Sequence, residues 1–140
     1  MNANIFLRAD SRTLSLDSWP EEIRSNATSL DPFYQLAEQM LEPTPYPETA
    51  PQLRKLQVLQ EQARHLGVEH KFSRPPQTTR FFDGPNSTGV PMRASTLSGQ
   101  DSTGVNDGSK TSTLVTYLSD AWNFGAELYV DTTYLLTELT

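Results

Sequence analysis

Three groupings of residues have types and spacings that bear on chemistry. Gly104-Val105-Asn106-Asp107-Gly108-Ser109-Lys110-Thr111 has the glycine, lysine and hydroxyl content of a phosphate-cradling loop. A Walker loop sets four residues between its glycines and a lysine directly after the second, behind a strand, so that amides and ammonium reach the same phosphates. Here three residues separate the glycines, a serine stands before the lysine, and no strand pattern precedes. The stretch reads instead as a glycine turn entering a helix, with Ser109 or Thr111 as cap. Asp101, Asn106 and Asp107 are calcium-ligand types, but Val105 breaks the alternation and no bidentate glutamate follows at the required distance, so they read as turn acids. His65 and His70 lie five apart with Gly67 between them, off the i, i+4 spacing that sets two ligands on one helix face. There is no G-x-S-x-G elbow and no cysteine, which removes the hydrolase serine, thiol nucleophiles, disulfides, thiolate zinc and iron–sulfur clusters. No catalytic residue and no metal set is expected from these spacings.

Arg74, Arg80 and Arg93 flank Phe72, Phe81 and Phe82, the mixture that grips nucleic acid. Eleven Lys and Arg face 17 Asp and Glu, a net charge of −6, so ordinary surface arginines and no nucleic-acid partner are expected. No apolar run reaches the roughly 18 residues of a transmembrane segment. The N-terminal MNANIFLRAD does not read as a secretory signal, which makes a cytoplasmic location the default expectation and the sequons at Asn26 and Asn86 chance matches. With 140 residues, 36% of them hydrophobic, and ten prolines, the chain should form one domain with a thin core, or lean on another surface.

The elements that must position these residues point to an α+β fold with three main helices, short strands and a long glycine-rich loop. Residues 4–7 read as a strand or sheet edge. Ser18-Trp19-Pro20-Glu21 has capping-box form and predicts a helical turn ending near Ser25. Asp31 as N-cap and Pro32 in the first turn open a helix whose apolar stripe is Phe33, Leu36, Ala37, Met40 and Leu41. Pro43, Pro45 and Pro47 then enforce an extended connector. A second helix is predicted over 51–65, capped through Thr49 and Gln52, with Leu53, Leu56, Leu59, Ala63 and Leu66 on one face and Gly67 as its stop. The two helices are expected to pack as a pair. Residues 71–72 and 78–82 suggest short strands, and the glycines from Gly84 to Gly108 suggest a long loop. A third helix is predicted over 112–122, ended by Gly125, and a strand over 126–130.

Several segments, taken in order, resemble the glucose–methanol–choline (GMC) family of flavin oxidoreductases, in particular its cholesterol-oxidase-like branch. Asn2-Ala3-Asn4-Ile5-Phe6-Leu7 is similar to the stretch just after that family's G-G-x-S motif. Leu30-Asp31-Pro32-Phe33-Tyr34 with Ala37-Glu38-Gln39-Met40-Leu41 resembles the branch's acid, aromatic, A-x-x-M-L helix. Pro76-Gln77-Thr78-Thr79 and residues 98–110 resemble its long loop. Residues 113–118, Asp120-Ala121-Trp122-Asn123 and Gly125-Ala126-Glu127 resemble the helix before a return strand of the flavin domain.

The resemblance implies an FAD-dependent enzyme that passes a hydride from the carbinol carbon of a sterol or long-chain alcohol to the flavin, the cofactor supplying the chemistry. It also implies that Asn2 hydrogen-bonds to the cofactor, that a small Ala3 lets the backbone approach it, and that Ile5 packs nearby. The chain departs from the pattern: G-x-G-x-x-G is absent, G-G-x-S would precede Met1, and the family's catalytic His–His or His–Asn pair has no counterpart. Residues 1–130 are therefore expected to be an internal segment spanning part of the FAD-domain edge and part of the substrate cap, with 131–140 a divergent tail. Alone, such a segment is expected to be inactive. The alternative is a non-enzymatic helical interaction module that docks a partner through the stripes of the helix pair.

Overall fold

The computed structural model describes residues 4–131. Among them are five α-helices: α1 (Ser11–Leu14), α2 (Glu21–Arg24), α3 (Asp31–Leu41), α4 (Arg54–His65) and α5 (Tyr117–Asn123). Two antiparallel pairs complete the architecture, β1 (Thr44–Pro45) on β2 (Pro76–Gln77) and β3 (Gly84–Pro85) on β4 (Pro91–Met92). This is a small mixed helix-and-strand fold, compatible with the expected α+β class. No described helix is long and apolar enough to cross a membrane.

Residues 76–80 are the spine of the fold. Alternate residues of an extended chain turn their amides and carbonyls to the same edge. On one edge Phe6 N donates to Pro76 O (2.9 Å) and Thr78 N to Asn4 O (2.7 Å). Further along that edge Thr111 N donates to Thr78 O (2.9 Å) and Arg80 N to Ser109 O (2.8 Å). Residues 4–6 and 109–111 thus lie end to end along the spine, bridging at Ile5–Gln77 and Thr79–Lys110. Thr44–Pro45 pairs with Pro76–Gln77 on the other edge.

The centre of the molecule is polar. Its buried apolar side chains are Leu14, Leu41 and Met92, while Thr78, Thr79, Arg80, Asn86, Ser109, Thr111 and Thr116 are buried with them. Buried polar groups are costly unless hydrogen-bonded, and most of these are, Arg80 Nε being an exception without a partner. Asn86 Oδ1 accepts from the amides of Thr88 (3.0 Å) and Val90 (2.9 Å), closing the β3–β4 turn, and its Nδ2 donates to Val115 O (2.6 Å). A side-chain nitrogen so committed is not placed to carry a glycan. The glycine-rich stretch predicted as a long loop therefore holds a hairpin and two of the buried side chains, Asn86 and Met92.

Arg80 is not the surface arginine expected from charge. Its side chain is 7% exposed. Nη1 donates to Glu42 Oε2 (2.5 Å), Nη2 to Pro85 O (2.6 Å), and the guanidinium lies 4.5 Å from the centroid of Phe82. Glu42 is the C-cap of α3 at φ 46°, the left-handed conformation that usually selects glycine.

Several helix ends differ from expectation, each for a local reason. Pro20 rather than Ser18 is the N-cap of α2, without a side-chain bond, and Arg24 holds the turn through Asp17 (2.9 Å) and Glu21 (2.5 Å). Asp31 is the first residue of α3 and not its cap, and its carboxylate faces Arg8, which is bound more closely by Glu38 (2.7 Å). Helix α4 starts at Arg54 behind Leu53, because Gln52 binds Gln57 instead of closing a box with Thr49. Helix α5 starts at Tyr117, since Thr116 has φ −120° and ψ −94° and turns its hydroxyl onto Ser112 O (2.8 Å). Residues 126–130 form no strand. Helices α3 and α4 do not pack along one another, and Phe33 and Leu36 stay 66% and 61% exposed. Gly67 does end α4, at φ 68°.

Replacing Arg80 by methionine should lower stability by about 3 kcal/mol, since it removes two charge-assisted bonds and leaves Pro85 O without this donor. Glu42→Ala should be more damaging than Glu42→Gly by about 1 kcal/mol, because both lose the ion pair and only glycine relieves the left-handed strain. Urea denaturation of the three variants measures both differences.

Candidate functional site

On the spine, Gln77, Thr79 and Phe81 alternate onto one face, as period-2 geometry requires. Asn4 Nδ2 donates to Gln77 Oε1 (3.1 Å) and Thr79 Oγ1 (3.3 Å). The Thr79 hydroxyl in turn donates to Asp101 Oδ1 (2.8 Å), and Lys110 Nζ donates to the backbone carbonyl of Asp101 (2.6 Å). This polar relay borders a cavity of about 180 Å³ whose apolar walls include Tyr46, Leu53, Phe81 and Leu97. Tyr46 and Phe81 meet edge to face with centroids 5.7 Å apart. Tyr46 is fixed at both ends, its hydroxyl donating to Pro51 O (2.7 Å) and its carbonyl accepting from Arg74 Nη1 (3.2 Å). Leu97 is held at φ 58°, a left-handed position for a side chain with a Cβ.

The 109–111 segment is set by Asp107. Its Oδ1 accepts from the amide (3.0 Å) and hydroxyl (2.6 Å) of Ser109, and its Oδ2 from the amide and hydroxyl of Thr96, both at 2.9 Å. Desolvation pushes this carboxyl up, but the Ser109 and Thr96 bonds together outweigh it and hold it down to about 2. Gly108, at φ 81°, lies beside the stem of Arg93, 3.6 Å from where a Cβ would stand. The loop that resembles a phosphate cradle thus has its groups committed: the Ser109 amide to Asp107, the Thr111 amide to Thr78. Ser109 is buried and is not a helix cap, nor is Thr111.

The other sequence candidates fall apart from one another. Asp101 is joined to Thr79 and Asp107 to Ser109 and Thr96. Among the described residues no three His, Cys, Asp or Glu side chains are gathered so as to hold a metal ion. His65 ends α4 and His70 lies in the short 3-10 turn Glu69–Lys71, both exposed. Asn2 and Ala3, with residues 132–140 of the tail, lie outside the described residues. Ile5 stands opposite Gln77 and is 55% exposed.

A flavin dinucleotide needs its pyrophosphate seated on a helix N-terminus behind a glycine-rich turn from a strand. None of the described helices follows such a turn, and the side-chain amide of Asn4 is already bound to Gln77 and Thr79. Ile5 offers an apolar edge and no more, so the described residues do not fit FAD as a complete site. The Asn4–Thr79–Asp101 relay had no sequence signal, because its members are 75 and 22 residues apart. No protein-family model, curated protein or solved structure matches the chain.

The Asp107 network predicts a specific pH response. A carboxyl held below its ordinary 3.8 contributes stability that is complete above that value and lost as pH falls towards about 2. Stability of the chain should therefore drop across this window. Asp107→Asn should be less stable than the parent at pH 7 and should flatten this acid limb, as read from urea midpoints measured between pH 2 and 7.

Proposed function

We propose that the chain is a segment of an FAD-dependent GMC oxidoreductase of the cholesterol-oxidase-like branch, joining the edge of a flavin domain to part of a substrate cap. Its parent would oxidise a sterol or a long-chain alcohol by hydride transfer to the flavin. The observation that carries this reading is the convergence of separate family-like segments on one ladder. Residues 4–6, 76–80 and 109–111 are far apart in the chain, and each belongs to or adjoins a stretch that resembles the family; they meet through four backbone hydrogen bonds of 2.7–2.9 Å. Residues 4–6, which adjoin the positions that the resemblance sets along the flavin, lie on one edge of residues 76–78, and Ile5 is 55% exposed there. The segment itself supplies position; the dinucleotide cradle and the proton-handling histidine belong to the rest of the parent.

The exposed stripe of α3, with Phe33 and Leu36, favours a second reading, a non-enzymatic module that docks a partner through its helices. DNA flanking the coding region separates the two. The first reading expects a G-x-G-x-x-G and a G-G-x-S motif in frame upstream and a histidine-bearing continuation downstream; the second expects neither.

Expressed alone, the 140-residue chain should be colourless and should release no peroxide from a sterol. The restored longer product should be yellow, and in it Asn2→Leu should weaken flavin retention about threefold to tenfold, the worth of one hydrogen bond. Flavin absorbance co-purifying with the short chain contradicts the proposal.

A further inference from the structure

We propose that the cleft between Tyr46, Phe81, Leu97 and Asp101 binds a small organic ammonium ion, a primary amine on a compact aromatic or alicyclic body. The size of the space sets the first limit. At about 180 Å³ it is smaller than the roughly 300–1,000 Å³ of sites for drug-sized ligands, so its occupant is a fragment-sized molecule.

Charge sets the second limit. Asp101 is the charged side chain in the cavity wall, and neither lysine nor arginine lines it. Lys110 reaches the backbone carbonyl of Asp101 from outside that wall. The Thr79 hydroxyl donates to Asp101 Oδ1, so the threonine presents its proton to the carboxylate and takes one of about four acceptor positions. A carboxylate with remaining acceptor capacity on an otherwise uncharged wall, where Gln77, Thr79 and Ser95 stand among the apolar groups, selects a donor carrying positive charge.

Shape sets the third. The rings of Tyr46 and Phe81 stand nearly perpendicular, at 82°, an arrangement that offers a ring face as well as an edge. Ring faces attract cations and pack against apolar rings. Leu97 is held in a left-handed conformation at this wall, and strain of that kind persists where surrounding structure enforces it, often around ligands. The site stands whether or not the chain is a piece of a flavoenzyme.

The test is a titration of the 140-residue chain followed by amide NMR, with benzylamine, benzyl alcohol and benzoate as probes at equal ionic strength. Benzylamine should shift the amides of Thr79, Gly99 and Asp101 and saturate with a Kd of about 1 mM. Benzyl alcohol, of the same shape without the charge, should bind at least about tenfold more weakly, and benzoate more weakly still. Asp101→Asn, which keeps an acceptor for Thr79, should lose the same factor for benzylamine. Equal binding of amine and alcohol overturns the proposal, as does tighter binding of benzoate, failure to saturate by about 50 mM amine, or an unchanged Kd in a folded Asp101→Asn chain. Should that variant unfold, the three probes on the parent chain decide the matter.

Discussion

A guanidinium that is almost wholly removed from water must find most of its hydration replaced by protein, and at Arg80 three groups provide the replacement for Nη1, Nη2 and the cation face, while Nε has no partner. Glu42 brings the end of α3, Pro85 brings the β3–β4 hairpin, Phe82 supplies a ring face, and the backbone of Arg80 holds the 109–111 strand and, through Ser95 N (2.9 Å), the segment after β4. Each partner is thereby fixed relative to the others. Removing the charge would leave no comparable organiser, because the buried apolar groups are few and spread across Leu14, Leu41 and Met92. The left-handed Glu42 belongs to the same logic. A glycine there would relax the backbone, but it would leave Arg80 without its anion.

A polar interior has consequences for how the fold is specified. Apolar packing is tolerant of exchange among residues of similar volume, whereas a hydrogen-bond relay needs the right donor facing the right acceptor. Thr79 accepts from Asn4 and donates to Asp101; Asn86 accepts twice from backbone amides and donates to Val115. Such networks fix register strongly and add little net stability per bond. Meanwhile large apolar side chains lie at the surface, Phe124 being 86% exposed and Leu36, Leu59 and Trp122 more than half exposed. The molecule draws its order from polar pairing and leaves much of its hydrophobic potential unused within the described residues.

Local periodicity made part of this legible. The i, i+3, i+4 stripes found α3 and α4, and Gly67 marked the end of α4, because a helix is defined by neighbours in sequence. Caps were less legible. Leu30, Pro20 and Leu53 stand where hydroxyl or carboxyl residues were expected, and Arg8, distant in sequence, engages Asp31 while Gln57, five residues along, engages Gln52. Residues 126–130 have strand-like composition, yet a strand exists only against a partner, and none faces them among the described residues. The spine and the Thr79–Asp101 relay were illegible for the deeper reason that threonines and a turn aspartate carry no mark of a contact many residues away. The strand expected over 78–82 falls just past β2 at Pro76–Gln77, with a single bridge at Thr79 inside it, and nothing in its residues showed what lay on either edge.

The same network argues about chemistry. A group that moves protons in a reaction works best with its pKa near the ambient pH and with a free path to the reacting atom. Asp107 meets neither condition: four hydrogen bonds from Ser109 and Thr96 hold it at about 2 and occupy both oxygens. It is a strut. His65 and His70, which have the right intrinsic chemistry, stand at the end of α4 and in the turn that follows, and neither lines the Thr79 cleft. What the ladder holds in place is therefore geometry: residues 4–6 along one edge, the Thr79 hydroxyl on the Asp101 carboxylate, and the Tyr46–Phe81 ring pair.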